Sequence, residues 1–137
     1  MKTMTAHQKG SALLESLIAI LIFSMGILAI IGLQAASIKN TVGAKYRTDA
    51  SMLANQVIGQ MWTDDKTNAT LVANYSSPNG AKYLTWKANV QQALPGVASN
   101  VPTIAIDAAN AATVTIWWQS PGESTPHNYV AIARING

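Results

Sequence analysis

Residues 10–39, GSALLESLIAILIFSMGILAIIGLQAASIK, decide how this chain is to be read. From Ser16 to Ile38 no residue is charged, and a membrane-spanning helix needs about 20 consecutive apolar residues. The run is apolar on every face, which suits lipid or a helical bundle rather than a soluble surface. Gly26 and Gly32 are tolerated in membrane helices, where small residues let neighbouring helices approach. No proline interrupts the run. Glu15 stands at its head. A carboxylate at the centre of a membrane helix costs about 2.5–3.5 kcal/mol, so even near the end such a group wants a partner. A place in the first turn of the helix would also favour it through the dipole.

Outward from this run, the totals bound the rest. The chain has 137 residues, 49% apolar and only 11% charged, where about a quarter charged is usual for a soluble domain. The length allows one small domain besides the N-terminal run. There is no cysteine, so disulfides, thiolate metal sites and cysteine nucleophiles are excluded. The net charge is +3, two of it from Lys2 and Lys9. With no block of like charge, no direct nucleic-acid binding is predicted. No paired carboxylates, Ser–His–Asp set or phosphate loop is evident, so neither catalysis nor a cofactor is expected. His7 falls in the polar leader. His127, beside Pro126, reads as a lone surface histidine without a nearby acid. Asp64-Asp65 reads as a loop after a helix rather than a cation site, because no further acids follow at ligand spacing. The tripeptides Asn68-Ala69-Thr70 and Asn74-Tyr75-Ser76 match a glycosylation pattern that is common by chance.

Beyond Lys39 the helix is expected to continue. Tyr46, Ala50, Leu53, Val57 and Met61 recur at steps of three or four and form one apolar stripe. A helix from Ser11 to Trp62 would be roughly 78 Å long at about 1.5 Å per residue, apolar all round in its first half and amphipathic in its second. Thr63–Gly80 reads as a loop, with Ser76-Ser77-Pro78-Asn79-Gly80 as its strongest turn signal. Ala81–Leu94 predicts a short second helix ended by Pro95-Gly96. Three β-like runs follow, Val101–Ile106, Thr113–Trp118 and Tyr129–Ile135, with joins short enough for an antiparallel meander. Trp117 and Trp118 are adjacent in a strand and must face opposite ways. One should fill the core, and the other is a candidate contact for a neighbouring subunit. The expected fold is α+β: a long N-terminal helix packed on a small antiparallel sheet, with a short second helix. The expected divisions are a leader at 1–10, an apolar half-helix at 11–38, an amphipathic half-helix at 39–62 and a head domain at 63–137.

The segment Gly10-Ser11-Ala12-Leu13-Leu14-Glu15, behind a short basic leader and ahead of the apolar run, resembles the class III signal of type IV prepilins and type II secretion pseudopilins. The resemblance implies a pilin-like fold and cleavage by a prepilin peptidase between Gly10 and Ser11, with N-methylation of Ser11. The family usually has Phe where Ser11 stands. It also implies that Glu15 is the assembly carboxylate, meeting the new amine of another subunit. Such a poorly solvated pair could fix register during assembly. The stretches Ser24-Met25-Gly26-Ile27-Leu28, Gly32-Leu33-Gln34, Arg47-Thr48-Asp49-Ala50, Leu53-Ala54 and Met61 are most similar to the minor pilins called type IV pilus modification protein V. Leu94-Pro95-Gly96 and the Thr113–Trp118 strand fit that subgroup too. Major pilins commonly have Pro at the position of Gly32 and a C-terminal cysteine pair, and neither is present.

A minor pilin of this kind is implied to be an inner-membrane, single-pass protein with a periplasmic head. It is assembled into the pilus or its tip and acts in pilus biogenesis, and so in twitching motility, adhesion or DNA uptake. Its implied partners are other major and minor pilins, the prepilin peptidase and the inner-membrane assembly platform. The positive-inside rule does not orient the chain, since Lys2 and Lys9 precede the run while Lys39, Lys45 and Arg47 follow it. Two alternatives stay open. One is a minor pseudopilin of a type II secretion system. The other is an exported binding domain released by ordinary signal cleavage near Ala35-Ala36-Ser37. Against the second stand Glu15 and a run longer than the usual apolar core of about 7–15 residues.

Overall fold

The computed structural model describes residues 9–136. The chain divides into two compact units, residues up to Thr41 and residues from Val42 onward. Helix α1 (Lys9–Thr63) supplies the whole of the described first unit and opens the second. Its C-terminal end lies one residue beyond the predicted one. The second unit continues with α2 (Asn68–Tyr75), α3 (Ala81–Ala93) and strands β1 (Thr103–Ile106), β2 (Ala111–Trp118) and β3 (His127–Arg134). The strands form one antiparallel sheet in the order β1-β2-β3. The α+β reading therefore holds: a long N-terminal helix, its second half packed on a three-stranded antiparallel sheet, with shorter helices beside it.

The core of the second unit is built from the predicted stripe. Ala50, Leu53, Ala54, Val57 and Met61 of α1 are buried, and Tyr46 packs partly against them. Burial of a Leu, Val or Met side chain contributes about 1.5–3 kcal/mol each, so this stripe fixes which face of α1 meets the sheet. The sheet answers with alternation. Ala112, Val114, Ile116 and Trp118 of β2 are buried, and the residues between them are only half-buried. Helix α3 contributes Tyr83, Trp86 and Val90. The Trp86 indole N–H donates to the Leu53 carbonyl of α1 at 2.9 Å, and the Tyr83 hydroxyl donates to the Pro102 carbonyl at 2.8 Å. Aromatic bulk and satisfied polar tips thus tie α3 to both layers.

One element departs from the sequence expectation. Within the predicted loop 63–80 lies α2, so there are two short helices rather than one. Its buried residues Leu71 and Tyr75 are four apart and fall on one face. The turn before it is organised by Asp65, whose carboxylate accepts from the Thr67 N–H at 3.0 Å and the Thr70 hydroxyl at 3.0 Å. After α2 the chain reverses through Ser76–Gly80. A Cβ on Gly80 would stand 2.5 Å from the Asn74 carbonyl oxygen, so only glycine fits there. The β1–β2 turn is closed by Asp107, which accepts from the N–H groups of Ala109 and Ala111 at 2.8 Å. Asn110 adopts the left-handed conformation at φ 57°, which asparagine tolerates. β1 begins two residues later than predicted because the preceding Pro102 has no N–H for a ladder.

Candidate functional site

Two regions are candidates, one in each unit. Among the described residues of the first unit, α1 is a single helix with nothing to pack against. Every residue from Ser11 to Thr41 is exposed, including Leu17, Phe23 (68%), Met25 and Leu33. Helix α1 is long and apolar enough to cross a membrane. Three of its hydroxyls bond back to the helix: Ser16 donates to the Ala12 carbonyl at 2.8 Å, Ser24 to Ile20 at 2.7 Å and Thr41 to Ser37 at 2.9 Å. A Cβ on Gly26 or Gly32 would meet nothing within 4 Å, so the fold of this chain does not demand glycine at either position.

Gly10 and Ser11 both lie within α1. Residues 1–8, with Lys2 and His7, lie outside the described residues. Glu15 is exposed and, among the described residues, makes no hydrogen bond or ion pair.

In the second unit a cleft of about 360 Å³ is lined by α1 residues Gln56 and Gln60, by Asp64 and Tyr75, and by Lys82 and Trp86 among others. At its mouth Asp64 accepts a hydrogen bond from Lys82, and from the Tyr75 hydroxyl at 3.1 Å. The Lys82 ammonium and the neighbouring hydrogen bonds hold the Asp64 carboxyl below the usual carboxylate range. Asp64 in turn raises Lys82, while burial pushes the Tyr75 phenol up. The Lys82 ammonium also sits 5.5 Å from the Tyr75 ring centre. The charges cancel, and both carboxylates of Asp64-Asp65 are occupied by internal donors. The sequence hides this cluster because its three members come from three different segments.

The remaining candidates are placed as follows. Trp118 is buried (4% exposed) and Trp117 points to the other face of the sheet, half-buried. Trp118 is thereby the one that fills the core, whereas Trp117 is accessible. His127 is exposed but not alone: its Nε2 lies 2.7 Å from the Glu123 carboxylate, and its ring stacks on Trp118 with centres 5.8 Å apart. The turn joining β2 to β3 brings Glu123 back beside the strand, which the reading of a lone histidine missed. Asn68, from one glycosylation-like tripeptide, uses its amide internally, donating to the Asp107 carbonyl at 2.8 Å and the Asn110 side chain at 2.7 Å.

Comparison with family models, with curated proteins and with solved structures finds no match to this chain.

Proposed function

We propose that this protein is a minor type IV pilin, a structural subunit made at the inner membrane and drawn into a pilus or its initiating tip. The observation that carries the reading is the exposed apolar half of α1, headed by the exposed carboxylate of Glu15 four residues after Ser11. In this reading the Ser16–Ile38 surface first faces lipid and then the helices of other pilins, with Gly26 and Gly32 allowing close approach. Prepilin peptidase cuts after Gly10 and methylates Ser11. Glu15 then pairs with the new amine of a neighbouring subunit, and a pair out of water is costly to leave half-made. The head lies in the periplasm, and Trp117 is available to a neighbour there. A minor pseudopilin of a type II secretion system uses the same features.

The test is the N-terminal residue and intact mass of the protein recovered from membranes, combined with a Glu15→Ala variant. A chain beginning at methylated Ser11 is expected, with Glu15→Ala still processed but absent from sheared filaments. A start near Ile38 would mean ordinary signal removal and would overturn the reading. Loss of protein export with pili intact on deletion would assign the subunit to the secretion apparatus instead.

A further inference from the structure

The two edges of the sheet differ in how they are finished. At the β1 edge, Ser77 is fastened to Ile104. The Ser77 N–H and hydroxyl both donate to the Ile104 carbonyl at 3.0 Å, and the Ile104 N–H donates to the Ser77 hydroxyl at 3.3 Å. The β3 edge has no such cover among the described residues. Which of its groups are free follows from the ladder. The Ile135 N–H donates to the Asn110 carbonyl at 2.9 Å, one step beyond the Ala111–Arg134 pair. Bonded pairs alternate along an antiparallel ladder, so His127, Tyr129, Ala131 and Ala133 turn their main-chain groups to β2. Asn128, Val130, Ile132 and Arg134 turn theirs away. The side chains of these same four residues are exposed, Val130 by 47% and Ile132 by 72%.

Proteins normally blunt an edge strand with lysine, proline, a bulge or a covering loop. β3 runs eight residues without any of these, and its one charged residue of fixed sign, Arg134, is the last. We propose that the free edge of β3 pairs antiparallel with the β3 edge of a second copy of this chain, about a two-fold axis at Ala131. In that register Val130 of each copy lies opposite Ile132 of the other, and Asn128 opposite Arg134. All four free residues of each strand then find partners. A shift of two residues in either direction leaves one of the four unpaired on each strand, and a shift of one turns the side chains to the wrong face. The apolar pairs fall at the centre. The Arg134 side chains fall at opposite ends, each beside an amide rather than beside each other, as a parallel pairing would place them. The strand is thus complementary to itself in hydrogen bonds, in side chains and in charge, which is why a second copy rather than an unrelated strand is the occupant. This pairing does not depend on the pilin reading.

The chain has no cysteine, so single thiols report the register in the full chain held in detergent micelles. Cross-strand neighbours lie within the roughly 4.4–6.8 Å Cα separation that a disulfide spans. Ala131→Cys is expected to form a disulfide-linked dimer under mild oxidation. Ala133→Cys lies opposite Tyr129, about 13 Å along the strand from its counterpart, and is expected to give none. Adding Ile132→Lys should abolish the Ala131→Cys cross-link. Should Ala131→Cys fail to fold, a mixture of Val130→Cys and Ile132→Cys chains, both exposed positions, is expected to give the mixed dimer. Absence of these cross-links with the thiols still reactive, equal linking of Ala133→Cys, or survival after Ile132→Lys would each overturn the proposal. An edge reserved for a different protein's strand would give the first of those results.

Discussion

The two halves of α1 share one backbone geometry and differ in everything their side chains do. From Ser11 to Thr41 large apolar residues occupy every side and all are exposed. From Val42 to Thr63 one stripe is buried, with Ala50, Leu53, Ala54, Val57 and Met61 in the core beside the sheet and α3, while Met52 and Trp62 stay exposed. A helix with one apolar stripe has a partner in its own chain. A helix that is apolar all round must find its partner outside it, in lipid or in other helices. The boundary at Thr41 and Val42 follows from where the composition changes, not from any break in the hydrogen-bonded helix.

The sharpest way to break this comparison is to put the same charge into each half. Val57→Asp would place a carboxylate at a fully buried position (0% exposed) in the apolar core of the second unit. It is expected to destabilise the second unit by about 4 kcal/mol or more, the range reached when an unpaired charge is buried. Thermal melting in micelles would record the loss, and membrane partition should be unchanged. Ile27→Asp should do the reverse. It costs about 2.5–3.5 kcal/mol of insertion free energy at the centre of a span, lowering the membrane-bound fraction and leaving the melting of the second unit in place. Equal effects of both variants on melting would mean that the halves are not energetically separate.

A smaller change sharpens the second half alone. Trp86→Phe removes the indole N–H that donates to Leu53 across the α1–α3 contact and trims the ring. The expected cost is about 1–2 kcal/mol, from one lost hydrogen bond and a small loss of packing. Denaturant midpoints of wild type and variant measure it. No change would mean that α3 is held by its apolar contacts only.

Much of this arrangement was legible because it rests on periodicity. The uncharged run and the stripe from Tyr46 to Met61 are patterns that survive in a single sequence. What was missed depends on segments meeting. Helix α2 was concealed by Asn and Thr residues that favour turns, although Leu71 and Tyr75 carry the helical spacing. Glu123 reaches His127 only because the β2–β3 turn returns it. The cover on one sheet edge comes from Ser77, which nothing in the sequence pairs with Ile104. Of the assembly candidates, the separation of Trp118 from Trp117 followed from strand geometry, while which of them is buried needed the fold.

The smallest expected effect concerns pH and lies wholly in the second unit. Asp64 is held below the ordinary carboxylate value of 3.8, first by its hydrogen bond from Lys82. A carboxyl whose value is depressed by folding adds stability above the unfolded value and loses it as the pH falls through the folded one. Lys82 is raised above its ordinary 10.5, first by the bond to Asp64. Its contribution is present below the unfolded value and lost as the pH rises through the folded one. The pair should therefore add a small stabilisation across neutral pH that fades below about pH 4 and above about pH 10. Both groups are solvent-accessible, so salt should weaken the effect. Lys82→Met removes the cation. The melting temperature of that variant should fall less steeply than wild type between pH 4 and pH 2, and the difference should shrink in high salt. An unchanged acid slope would mean that the Tyr75 hydroxyl and the local N–H groups, rather than Lys82, hold the Asp64 carboxylate.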